Sequence, residues 1–281
     1  MRLALLTALV MCAFAGNSIL NRLALSDGQM DAVVFGVIRL VSGAAALAAL
    51  ATGRSRGLPL RDRRRWVEVP ALVLYVFGFS LAYRRLDAGT GALILFGGVQ
   101  VVMFAAAISD RPPLRRWIGA AIALAGLALL AEALRGDLAG VLLMSAAAVG
   151  WGLYSLSGRG VGDPLAATTA NFVLAGAASL MLVPFLLPSL AGLPLRGVGL
   201  AILSGAVTSG LGYALWYGVL PRLASEVAGL AQLCVPVIAI LGGAVVIGEA
   251  PSGRTLAACL VILGGVALGL VPQRRMASSG S

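Results

Sequence analysis

Arg39 is the residue in this sequence whose chemistry is hardest to place. It stands in the apolar run FGVIRLVSGAAAL, about 13 Å along a helix from Met30, where an unpaired charge costs several kcal/mol. A guanidinium there either ties helices together through backbone carbonyls or receives the carboxylate of a bound solute, and both readings stand at this point. Elsewhere the sequence offers rings and amides at helical spacing. Tyr75, Phe79 and Tyr83 recur every four residues, on one helix face. Trp151, Tyr154 and Ser155 occupy a second apolar run, and Thr208, Ser209, Tyr213, Trp216 and Tyr217 a third. Asn17, Ser18 and Gln100 set polar groups among apolar neighbours. Such side chains suit a cavity for flat or amphipathic solutes. The plainer reading is that Trp and Tyr anchor helix ends at a membrane interface, which fits Trp66 and Tyr83. Buried amides and hydroxyls equally serve to bond helix to helix, for about 1 kcal/mol or less each. The candidates for solute contact are Trp151, Tyr75, Phe79, Gln100, Tyr213, Trp216, Asn17 and Tyr154.

Covalent chemistry has little to work with. The chain has no His, which removes His-dependent metal sites, Ser-His and Cys-His nucleophile pairs and His proton relays together. Cys12, Cys234 and Cys259 lie in apolar runs and read as small packing residues rather than disulfide partners or metal ligands. No catalytic residues, metal site or cofactor are expected, and the chain is not expected to be an enzyme. Glu249 and Asp110 fall at the ends of apolar runs, where a carboxylate caps the helix that follows or couples an ion. No carboxylate is expected deep in a span, so uncoupled, facilitated movement is the default expectation.

These residues must be positioned by helices in a membrane. Sixty per cent of residues are hydrophobic and 11% charged, and the mean hydropathy is +0.99. A soluble fold could not hide that much apolar surface. The expectation is an all-α integral membrane protein with about ten spans, at 3–25, 32–52, 67–84, 88–109, 116–134, 138–157, 164–188, 197–220, 224–247 and 254–272. The start imitates a cleavable signal peptide, with Arg2, an apolar run and Ala13-Phe14-Ala15; it is read as a retained first span. Net charge is +10, all of it from Arg, since Lys is absent. The arginines cluster in short loops, so they orient the chain in the membrane rather than bind nucleic acid. Their excess, above all Arg54, Arg56, Arg61, Arg63, Arg64 and Arg65, puts both termini in the cytoplasm. Partners are then membrane lipid and a small-molecule solute. The polar tail from Met276 reads as disordered.

The two halves resemble each other. The stretch from Leu86, LDAGTGALILFGGVQVVMFAAAISDRPPLRRW, aligns with that from Leu223, LASEVAGLAQLCVPVIAILGGAVVIGEAPSGRT, across a two-residue gap. Asp110 then faces Glu249, and Val99 faces Pro236, whose missing N–H should break its helix in one half only. With five spans per half, the second copy is inverted, giving repeats at 1–135 and 136–281 around a central cavity. Gly205, Ser209 and Gly212 make a small face on span eight that admits a neighbouring backbone.

Four stretches carry a family resemblance: FAGNSILNRLAL from Phe14, FGVIRLVSG around Arg39, GVLLMSAAAVGWGLYSLSGR from Gly140, and the run from Ser204 to Glu249 containing GYALWY, PRLAS, PVIAIL and GE. The chain resembles EamA-type transporters of the drug/metabolite transporter superfamily, and within them looks most like the YddG-type amino-acid exporters. Asp110 departs conservatively from the family's GE pattern, which Gly248-Glu249 matches. The resemblance implies an inner-membrane carrier with ten helices around one central site, exporting small metabolites such as aromatic or large neutral amino acids by alternating access. An exporter of lipophilic drugs or nucleobase-like compounds, or a channel-like pore, remains the alternative.

Overall fold

A computed structural model describes residues 2–52, 57–106, 114–133, 137–158, 160–223, 228 and 231–270. The described chain is helical: α1 Arg2–Leu25, α2 Ala32–Ala51, α3 Arg65–Tyr83, α4 Ala88–Ala106, α5 Leu114–Ala133 and α6 Leu138–Gly158 are followed by α7 Pro164–Leu180 and α8 Val183–Leu190. Then α9 Leu195–Leu203 runs through a π-helical segment, Ser204–Leu211, into α10 Gly212–Val219, before α11 Cys234–Val246 and α12 Gly253–Leu270. Each expected apolar segment overlaps a helix. Six helices, or seven if the bent α7–α8 pair is one span, are long and apolar enough to cross a bilayer. The protein is a multi-pass, all-helical membrane protein. Leu142, Phe185, Leu241, Val245 and Leu260 point outward, a surface that lipid solvates and water would not.

Helix starts follow local chemistry. Asp31 caps α2 by accepting from the Val33 and Val34 amides at 2.9 and 3.0 Å, and Asp163 caps α7 through the Ala166 amide with Pro164 as first helical residue. Two prolines set the interruptions by one rule. A proline cannot donate to the carbonyl four residues back, and its ring collides with it. Pro184 therefore ends α7 near Leu180, and the chain bends by 73° into α8. Pro236 acts one turn ahead of itself: the helical ladder is broken at Leu233, and Pro236 sits buried in the first turn of α11. The expected break in mid-span thus moves toward the start of the helix.

In the bundle α3 packs on α6 and α7, α2 on the π-helical segment and α7, and α1 on α9, α10 and α11, while α5 and α12 pair with each other and meet the rest chiefly through α4. The small face of the eighth segment is used as expected. A side chain at Gly205 would strike the Arg39 carbonyl, so α2 and the π-helical segment touch backbone to backbone. Gly150 does the same for α6, with the Ala71 carbonyl 2.6 Å from where its Cβ would stand.

Asp110, the arginines at 54 and 56, the proposed half boundary at 135 and the tail from Met276 lie outside the described residues, so the expectations placed on them stay with the sequence.

Candidate functional site

Where α1, α2, α3, α6 and the π-helical segment with α10 converge, aromatic rings and polar groups form one buried cluster. Trp151 lies 4.6 Å from Tyr213 and 5.0 Å from Tyr75 between ring centroids. Tyr75 in turn stacks beside Phe79 at 5.1 Å, and Tyr154 beside Trp151 at 5.7 Å. Phe14, absent from the sequence candidates, sits among them, 5.2 Å from Trp151 and 5.8 Å from both Tyr213 and Trp216. The four-residue spacing on α3 and the nearby Trp151 and Tyr154 on α6 explain how the helices aim their rings inward. These side chains are at most 4% exposed, each ring covered by its neighbours rather than by water.

Arg39 is fully buried at the centre of this cluster. Its Nε donates to Ser209 Oγ at 2.8 Å, and its Nη2 to the Tyr213 and Tyr75 hydroxyls at 2.7 and 3.2 Å. The guanidinium carbon lies 5.1 Å from the ring centres of both Tyr75 and Phe79, a favourable place for a cation. Backbone carbonyls, the expected structural partners, are replaced by three hydroxyls drawn from α3, the π-helical segment and α10. Nη1 has no partner, and no carboxylate pairs with Arg39 among the described residues.

Asn17 joins the same network. Its Nδ2 donates to the Tyr75 hydroxyl at 3.1 Å, and its Oδ1 accepts from Ser204 and Thr208 at 2.7 and 3.0 Å. The π-helical turn brings Ser204, Thr208 and Ser209 to bear on α1 and α2, the kind of local widening often found at functional positions. Asn21 extends the network to Ser204 and, through Ser80, to α3. Gln100 stands apart: it is only half-buried, and its Nε2 has no partner. Pro236 belongs to the helix start described above rather than to the ring cluster.

Ion-paired groups flank the cluster at both ends. At the end holding the last turn of α1, Arg22 donates to Glu249 and to the Tyr83 carbonyl and lies 3.5 Å from Asp87. Gly248, at φ +80°, lets the chain leave α11 so that Glu249 turns toward α4. Its Oε2 accepts from the Ala88 amide at 2.8 Å. Glu249 thus caps α4 and not the helix that follows it, whose amide at Thr255 is met by Ser252. Burial pushes the Asp87 carboxyl above its ordinary value and the nearby Glu249 charge adds to this, with Arg22 opposing. Tyr83 is no interface anchor: it is fully buried, 4.6 Å from Phe79, and donates to the Ala88 carbonyl. Trp66, 83% exposed, keeps its interfacial place.

At the opposite end, Arg65 Nη1 donates to Glu68, to the Asn171 side chain and to the Ala167 carbonyl, tying α3 to α7. Asn171 donates to the Tyr154 hydroxyl, and Tyr217 to the Tyr154 carbonyl at 2.8 Å. Glu68 is 0% exposed, in the first turn of α3. Glu68 is buried by neighbouring helices at the start of its span rather than deep within it. Neither Glu68 nor Arg65 stood out in sequence, because Arg65 merges with a loop cluster of arginines.

Comparison with known proteins places this geometry. A family model described as the EamA-like transporter family matches residues 138–271. A protein of Pseudomonas aeruginosa described as uncharacterized is 48% identical over 280 residues, covering 97% of this chain and 96% of its own. The chain belongs to the EamA-like transporter family. An uncharacterized transporter of Archaeoglobus fulgidus is 26% identical over 221 residues, 73% of this chain and 79% of its own. For this EamA-like chain the fold also has a solved counterpart, a crystal structure with TM-score 0.67 and 22% identity that covers 95% of this chain and 96% of its own. The family consists of transporters rather than enzymes.

Proposed function

We propose that this chain is an inner-membrane carrier with both termini cytoplasmic, built as two inverted repeats of five spans each, 1–135 and 136–281. It exports aromatic or other large neutral amino acids by alternating access. The observation that carries this reading is the ring cluster itself: Phe14, Tyr75 and Phe79 from the first half meet Trp151, Tyr154, Tyr213 and Trp216 from the second around one buried polar centre. A site shared between halves is where rocking of one against the other changes access. Its rings offer flat apolar contact, and its hydroxyls and amides offer orientation. The ion pairs Arg22–Glu249 and Arg65–Glu68 are the natural outer and inner gates of such a cycle.

Counterflow in proteoliposomes tests the reading. Vesicles loaded with unlabelled amino acids are expected to accumulate labelled Trp, Phe, Met or Leu saturably, with Trp151→Ala lowering the exchange. A protein verified as folded that exchanges none of them refutes the amino-acid reading. Flux that never saturates replaces the carrier with a pore.

A further inference from the structure

Three polar groups left unpaired in the ring cluster share one property. Arg39 Nη1, Trp151 Nε1 and Trp216 Nε1 are all buried N–H groups without an acceptor. Guanidinium and indole nitrogens can only donate. These three donors lack acceptors, and the centre of the cluster is short of negative charge, since Arg39 is met only by the hydroxyls of Ser209, Tyr75 and Tyr213. A water at Nη1 would satisfy hydrogen bonds and leave the charge uncompensated. An anion satisfies both. Buried cations in membranes are retained where they find a counter-charge or serve transport, and the described residues hold no carboxylate that pairs with Arg39.

We infer that Arg39 Nη1 is the docking point for the carboxylate of the transported solute, with the solute's ring or apolar chain against Trp151, Phe14 and Phe79. This rests on the aromatic-solute reading above and sharpens it: the carboxylate is obligatory, and an amine or alcohol of the same size is a poor substrate. Nη1 offers its two N–H donors to the carboxylate, and the buried positive charge makes that hydrogen bond a charge-assisted one. The geometry also explains why Arg39 keeps Nε and Nη2 engaged with protein hydroxyls. They fix the plane of the guanidinium and leave one nitrogen for the ligand.

The test is ligand-induced thermal stabilisation of the full chain in detergent micelles, which reads binding independently of transport. The probes are 3-phenylpropionate, 3-phenylpropan-1-ol, phenethylamine and acetate. The midpoint should rise saturably with 3-phenylpropionate, while the alcohol and the amine bind at least ~10-fold more weakly. Arg39→Met should bring the carboxylate down to the level of the alcohol, and Arg39→Lys should fall between. If Arg39→Met does not fold, the probe series on the unaltered protein still decides. Alcohol or amine binding as tightly as 3-phenylpropionate overturns the carboxylate site and leaves the aromatic reading standing. No saturable shift with any carboxylate also overturns the site. Acetate binding as tightly as 3-phenylpropionate keeps the anion site and removes the aromatic component from the proposed function.

Discussion

The Arg65–Glu68 pair yields a quantitative prediction because its two partners are unequally supported. Arg65 is 6% exposed and Glu68 0%, so solvent screens neither. Arg65 also holds the Ala167 carbonyl, the Asn171 side chain and, through Nε, the Pro59 carbonyl at 3.3 Å. Glu68 has only Arg65: Oε2 accepts from it and Oε1 has no partner. Removing the arginine strands a buried carboxylate, which costs about 3–5 kcal/mol. Glu68→Gln keeps an acceptor oxygen facing an Arg65 that has three other oxygens, so its cost is about 1–2 kcal/mol. Arg65→Met combined with Glu68→Gln leaves no buried charge and should cost less than Arg65→Met alone. A double-mutant cycle, read as unfolding in mixed micelles at increasing mole fractions of SDS, therefore predicts Arg65→Met as the worst of the variants and strong non-additivity. Equal costs for the two single substitutions, or a double variant as unstable as their sum, would refute the argument.

Two further predictions follow from packing and from the Asp87 cluster. Gly150→Ala places a methyl 2.6 Å from the Ala71 carbonyl and 2.8 Å from the Tyr75 amide, backbone atoms that cannot swing aside. Its cost should be about 1–3 kcal/mol in the same assay, against little change for Gly199→Ala, where nothing lies within 4 Å. For Asp87 the folded state holds the proton more tightly than the unfolded chain, whose carboxyl titrates near 3.8. The stability tied to that proton is present below this value and is lost as the pH rises through the folded-state titration. Thermal midpoints should show Asp87→Asn gaining on the unaltered protein from acid pH upward and then levelling off; a gap that narrows with rising pH contradicts the assignment.

Much of the fold was readable because a bilayer imposes a length. Segments placed from apolar runs alone end within a few residues of the helices at α1, α2, α3 and α6. The misplaced features are local. Pro236 breaks its helix a turn ahead of itself, because a proline acts on the carbonyl four residues back, here Gln232. Segments 116–134 and 254–272 likewise fall on α5 and α12, whereas α11 covers only the later part of segment 224–247. Gly205 and Gly150 find their reason only in the backbones they touch.

The site was readable in its residue types and unreadable in its pairings. Tyr75, Trp151 and Tyr213 announce themselves as rings in membrane segments, yet what makes them a site is that helices far apart in sequence bring them within 4.6–6.1 Å of one another. Asn17 reaches Tyr75 across 58 positions and Ser204 across 187, separations over which no periodicity informs. Phe14 shows the limit most plainly. It looks like any phenylalanine in a first span, and only the approach of α4, α6 and α10 puts it among four rings. Arg39 is the reverse case. Its depth in an apolar run demanded compensation from the start, and the physical question was only what would supply it. The fold supplies three neutral oxygens and leaves one nitrogen bare, so the electrostatic demand legible in the sequence persists in the structure and falls to the solute.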